Sequence, residues 1–190
     1  MSKKNTSKKG RVEDLILYIL ANYNNERLTP TKLNKLLYFC DFDSYATHKK
    51  SITDGVYINN NYGPTLADMP KILKKMIVSG KINEIKEQNF YGQPQTRFVV
   101  SSNNLTFNFD DDSLQVIKDV NERYRELKSS ELGVISHFDP PYLVSKKGKP
   151  IEYKNVIFRD EEFEINESER TEWNNLLSLS EKKNLLRVAQ

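Results

Sequence analysis

The sequence predicts a mainly helical α+β fold, a compact single domain with a small β-hairpin. Three observations carry that reading. Apolar residues recur at three- and four-residue spacing near residues 12–23, 29–50, 68–80 and 113–128, which is the period of an amphipathic helix. Two strand-like runs, 81–88 and 95–101, flank the turn-rich loop "NFYGQP", a hairpin signal. The 190 residues contain no internal repeat and no long linker, so one domain accounts for them.

The elements follow in order. Val12, Leu15, Ile16, Ile19 and Tyr23 share one face of the first helix, and Glu13 and Asp14 suit the positive end of its dipole. Thr29 can cap the second helix, and Pro30 fits its first position, where the missing N–H would have no partner. Leu33, Leu36, Leu37 and Cys40 line one side of it, and Tyr38, Phe39, Phe42 and Tyr45 widen that side to most of the circumference. A helix apolar nearly all round is a central core helix. Val56, Tyr57 and Ile58 suggest a short strand, and "NNNYGPT" at 59–65 reads as a rigid turn. Asp68 is placed to cap the third helix, because Pro70 is tolerated in a first turn. Asp110, Asp111 and Asp112 favour the start of the fourth. "SSELGVISH" is a short helix stopped by Pro140 and Pro141. Residues 143–165 are mixed, and about 168–188 read as one broken helix or two around Trp173 and Leu176.

Composition narrows the function classes. Cys40 is the only cysteine, so no disulfide framework forms within the chain, and the reducing cytoplasm is the natural compartment. No apolar run approaches the ~18 residues of a membrane span, and the first residues lack the apolar segment of a secretory signal. Lys3, Lys4, Lys8 and Lys9 stand without an acid among the first ten residues. They account for the net charge of +3. Residues 1–10 are therefore expected to be a disordered basic tail, with 11–190 the folded domain.

Catalytic patterns find little support. The two histidines, His48 and His137, and Cys40 sit in no metal motif, so neither a metal nor a cofactor is expected. The three acids at 110–112 lack the glycine and terminal glutamate of a calcium loop. A Cys40–His137–Asp139 set would place its thiol on the apolar face of the most buried helix, where cysteine acts as a small hydrophobe. There is no nucleophile elbow, phosphate loop or dinucleotide fingerprint. A nucleic-acid reading rests on element order: three helices and a hairpin resemble a winged helix. Lys71, Lys74 and Lys75 on the third helix and Arg97 in the hairpin would then be phosphate contacts.

A set of ordered motifs goes further. Lys32, Leu33, Asn34, Lys35, Leu36, Leu37 and Tyr38 are followed by Tyr62-Gly63-Pro64, then by Ser136-His137 and Pro141-Tyr142. In that order they resemble the Panacea domain, the SocA-like antitoxin domain of bacterial and phage toxin–antitoxin pairs, over about residues 12–160. Asn34 stands where that family commonly has glutamine, and Tyr142 where it has tryptophan. The resemblance implies an antitoxin that neutralises a protein toxin by direct binding. It also implies no catalysis and no cofactor, and for some members a role as protease adaptor. The toxin is expected from the adjacent gene.

Binding needs a few anchors that can be desolvated within a polar rim. Phe90 and Tyr91 at the tip of the hairpin loop, and Tyr62 in its turn, are the aromatic candidates. Glu161, Glu162 and Glu164, in the acidic run from Asp160 to Glu172, are the candidates for meeting a basic toxin. Tyr62 carries two readings: packed against the central helix as a structural junction, or facing the partner.

Overall fold

A computed structural model of the chain describes residues 8–23, 27–88, 92–102 and 104–160. In chain order the elements are α1 (Lys8–Asn22), α2 (Pro30–His48), β1 (Tyr57–Asn60), β2 (Gly63–Leu66), α3 (Met69–Val78), β3 (Ile82–Gln88), β4 (Pro94–Val100), α4 (Asp111–Tyr124), α5 (Ser129–His137), α6 (Pro140–Leu143) and a terminal 3-10 helix (Tyr153–Asp160). The mainly helical α+β class stands. α1 begins inside the stretch assigned to the basic leader, at Lys8. The expected helices around Trp173 lie outside the described residues.

α2 is the central element. Leu33, Leu36, Leu37, Tyr38, Phe39, Cys40 and Phe42 are all buried, and the helix packs on α1, α4, α5, β2, β4 and the 3-10 helix. Its start follows the sequence signals: Thr29 accepts a hydrogen bond from Lys32 N, and Pro30 occupies the first turn. Aromatic rings knit the far end together. Phe42 meets Tyr38 at 4.3 Å and Tyr153 of the 3-10 helix at 4.7 Å between centroids. Such ring pairs add about 0.5–1.5 kcal/mol beyond the area they bury.

Several boundaries differ from expectation. Asp68 precedes α3, yet its side chain makes no capping bond; its backbone (φ −98°, ψ 11°) is not the extended form that turns a cap inward, and the carboxylate faces Lys71 instead. α4 begins earlier than the periodicity suggests, because Asp110 accepts from Ser113 N. That bond and the Ser113 side chain hold the Asp110 carboxyl down at about 2. The helix also ends earlier, at Tyr124. Pro140 and Pro141 do stop α5, but they open a further short helix, α6. Proline suits that first turn for the reason that bars it from an interior.

The largest correction concerns 59–65. Gly63 and Pro64 are not in the turn; they begin β2, pairing with Asn60 and Asn59. Only Asn61 and Tyr62 connect the strands. Gly63 takes φ +83°, closing the turn as a left-handed glycine does. The described residues thus form two antiparallel ribbons, β1–β2 and β3–β4, where one was expected.

Candidate partner-binding site

Several of the dispersed motif residues, Lys35, Gly63, Pro64, Ser136 and His137, meet on β2. Pro64 turns its carbonyl toward α2 and has no N–H to leave unpaired on that side, the one setting in which a strand tolerates proline. Lys35 Nζ donates to Pro64 O at 2.9 Å and to Tyr62 O at 2.5 Å. One residue earlier on α2, Asn34 Oδ1 accepts from Leu66 N at 3.0 Å. These two side chains serve as a third strand for β2.

Gly63 fits only as glycine. A β-carbon there would lie 2.5 Å from Lys35 Nζ, 2.9 Å from Ser136 Oγ and 3.0 Å from His137 Cε1. None of the three can yield freely: Lys35 holds both neighbouring carbonyls, Ser136 Oγ donates to Gly133 O at 2.7 Å, and the His137 ring lies between Gly133 O and Asn61 O. Pro141 is buried, and its carbonyl accepts from Ser145 Oγ. Tyr142, in the tryptophan position, packs edge-on against His137 and donates its hydroxyl to Asn60 O at 2.8 Å. On the other side of β1, Asn59 N donates to Lys149 O, Gly148 N to Asn59 O, and Asn59 Nδ2 to Tyr142 O and Ser145 O. The ribbon is clamped on both edges.

Lys32, one turn before Lys35, holds the α4–α5 junction. Its Nζ donates to Arg125 O and Leu127 O at 2.7 and 2.6 Å, capping carbonyls beyond the end of α4. Burial pushes the Lys35 amine down to about 7 and the Lys32 amine to about 8. Leu33, Leu36 and Leu37 are core. Tyr38 donates to Asp139 Oδ2 at 2.6 Å, and burial, then the neighbouring carboxylate, pushes its phenol well up.

Sequence reasoning passed over the polar groups buried with it. Arg159 makes two 2.9 Å bonds to Asp139 and one of 2.8 Å to Asp43. Burial opposes its charge, but the two carboxylates outweigh that and raise its pKa. Asp41 is fully buried and accepts from Thr53 N, Thr53 Oγ1 and Tyr57 OH; burial nevertheless pushes it up to about 6. A signal existed: Lys32, Lys35 and Asp41 stand on a helix read as apolar nearly all round, so such charges had to be buried and partnered.

The other candidates separate. Tyr62 is 81% exposed, so the reading that packs it against α2 is overturned; its backbone is held and its ring is not. Cys40 is completely buried, which pushes its thiol well above the usual range. Of the phosphate candidates, Lys71 faces Asp68, Lys75 is bonded at 2.6 Å to the buried carboxylate of Glu13, and Arg97 is bonded to Glu87 at 2.5 Å. Lys74 is exposed and makes no ion pair among the described residues. Phe90, Tyr91, Glu161, Glu162 and Glu164 lie outside the described residues. No described helix is long and apolar enough to cross a membrane.

The architecture is that of a helical α+β domain whose buried polar contacts display one short turn. Its sequence places it in a family. Residues 33–143 match the family model "Antitoxin SocA-like, Panacea domain", and the chain belongs to that family. The match runs from α2 to α6 and is narrower than the resemblance over 12–160; α1 and the 3-10 helix lie beyond it, although both pack on α2. No curated protein and no solved structure matches the chain. Membership of an antitoxin family implies a toxin partner in general.

Proposed function

We propose that this protein is a cytoplasmic antitoxin that neutralises one protein toxin, encoded by the adjacent gene, by binding it directly and without catalysis. One observation carries the reading. Part of the family motif, Lys35, Gly63 and His137, holds the β1–β2 turn, so that Tyr62 stands in solvent on a backbone fixed by Lys35 and His137. A preorganised aromatic suits binding, because little ordering entropy remains to be lost.

A winged-helix DNA regulator fits less well, since three of its four proposed phosphate contacts face carboxylates of the same chain. A protease adaptor would use the same toxin contact and differ only in the toxin's lifetime.

The test is co-expression with the adjacent gene. Growth arrest by that gene alone, relieved by this protein, with a complex that survives purification, is the expected result. An absence of toxicity, or relief without a complex, would overturn direct neutralisation. A toxin half-life shortened only in the presence of this chain would move the role to delivery.

A further inference from the structure

The charged surface near Tyr62 differs from the one on α3. Residues 146–149 (Lys-Lys-Gly-Lys) form a tight turn: Lys149 N donates to Lys146 O at 3.0 Å and Gly148 takes φ +73°. Lys146, Lys147 and Lys149 are exposed and make no ion pair among the described residues. The turn is fastened to the motif ribbon through Gly148 N to Asn59 O at 2.7 Å, Asn59 N to Lys149 O at 2.9 Å, and the Ile58–Pro150 bridge. Ser145, just before it, accepts from Asn155 and donates to Pro141 O.

Two rigid turns therefore stand side by side, one carrying an exposed tyrosine between amides and the other three lysines. Neither 59–65 nor 142–151 contains an acid; Glu152, the next residue, is exposed and makes no ion pair with these lysines. The nearest upstream carboxylate, Asp139, is occupied by Tyr38 and Arg159. On α3 and just before β3 more of the charge is met: Lys75 and Lys81 both close on Glu13, at 2.6 and 2.5 Å, and Lys71 faces Asp68, leaving Lys74 without an ion pair among the described residues.

We infer that the Asn60–Tyr62 turn and the Lys146–Lys149 turn together form the docking surface for an acidic face of the protein partner, with Tyr62 as anchor and the lysines as steering charge. This rests on the toxin-binding reading and specifies its surface. Charge complementarity selects the partner: a cluster of exposed lysines without an ion pair among the described residues attracts carboxylates and speeds encounter. A protein suits it better than a nucleic acid. The patch has one aromatic and no arginine, whereas single-strand grooves string several stacking rings along a basic track.

The experiment measures association of the full chain with the adjacent-gene product at low and physiological salt. Reversing the patch, K146E/K147E/K149E, should slow association by about tenfold or more and flatten its salt dependence, with an unchanged melting temperature. The charge-matched control K71E/K74E/K86E should leave the rate within about twofold. Equal loss in both variants, or loss in neither, overturns the assignment while the wild-type complex still upholds neutralisation. A second arm needs no toxin: poly-L-glutamate titrated into the isotope-labelled chain should shift amides of 59–65 and 145–150. Shifts centred on α3 overturn the patch. Shifts at the patch from a chain that fails to bind the adjacent-gene product support the surface and sink that choice of toxin.

Discussion

The two ribbons have the same form and are held by different physics. β3–β4 is longer and rests on burial: Ile82 and Phe98 turn inward, most of β3 is exposed, and Glu87 accepts from Gln95 and Arg97 within the hairpin itself. β1–β2 has only four residues in each strand, and the edge groups of both strands are taken by distant side chains and backbone. A two-stranded ribbon is marginal in water. The first is stabilised by apolar contact, which tolerates change of shape; the second by directional bonds to buried partners, which tolerate little.

The widest separation should come from matched glycines. Gly63→Ala places a β-carbon among Lys35, Ser136 and His137 at φ +83°, and should cost about 3 kcal/mol or more in denaturant unfolding. Gly92→Ala, at φ +72° with open space around it, should cost only about 1 kcal/mol. Equal losses would mean that β1–β2 is no more constrained than β3–β4.

Lys35→Met comes next. It strands the carbonyls of Tyr62 and Pro64 and should cost about 2–4 kcal/mol at pH 9. It should also change the response to pH. With a folded pKa of about 7 against an ordinary 10.5, Lys35 leaves the unfolded chain holding more protons between those values. Stability should therefore rise with pH across this window, and fall as pH drops toward 7. From pH 7 to 9 the wild type should gain about 2 kcal/mol from this residue, absent in Lys35→Met. A slope common to both proteins would assign it to other groups.

Tyr142→Phe removes one bond to Asn60 O while keeping the ring against His137, and should cost about 1 kcal/mol. The smallest effect on stability is expected from Tyr62→Ala, within about 0.5 kcal/mol because the ring is solvated, with neutralisation lost. A large drop in melting temperature would restore the junction reading.

Much of this was legible locally. Thr29-Pro30, the apolar period of α2 and the long hairpin all depend on neighbours within a few residues, and all three appear where the sequence puts them. The motif order also points to the family. The β1–β2 ribbon was not legible as a ribbon. Its strands are short, one contains proline, and the groups that satisfy their edges lie about 30 and 90 residues away. Nor does helical periodicity say whether a lysine points to water or to a buried carbonyl, since both keep the same spacing.

By itself, then, the sequence determined the core helix, its cap, the long hairpin and the family. Only the tertiary structure decided the use of charge. It buried Lys32 and Lys35 as backbone clamps, paired Lys75 with Glu13, and left Lys146, Lys147 and Lys149, in a turn fastened to β1, without an ion pair among the described residues. The reason is physical: a lysine's character is set by the acceptors within about 4 Å of its nitrogen, and chain packing supplies those from segments far away in the sequence.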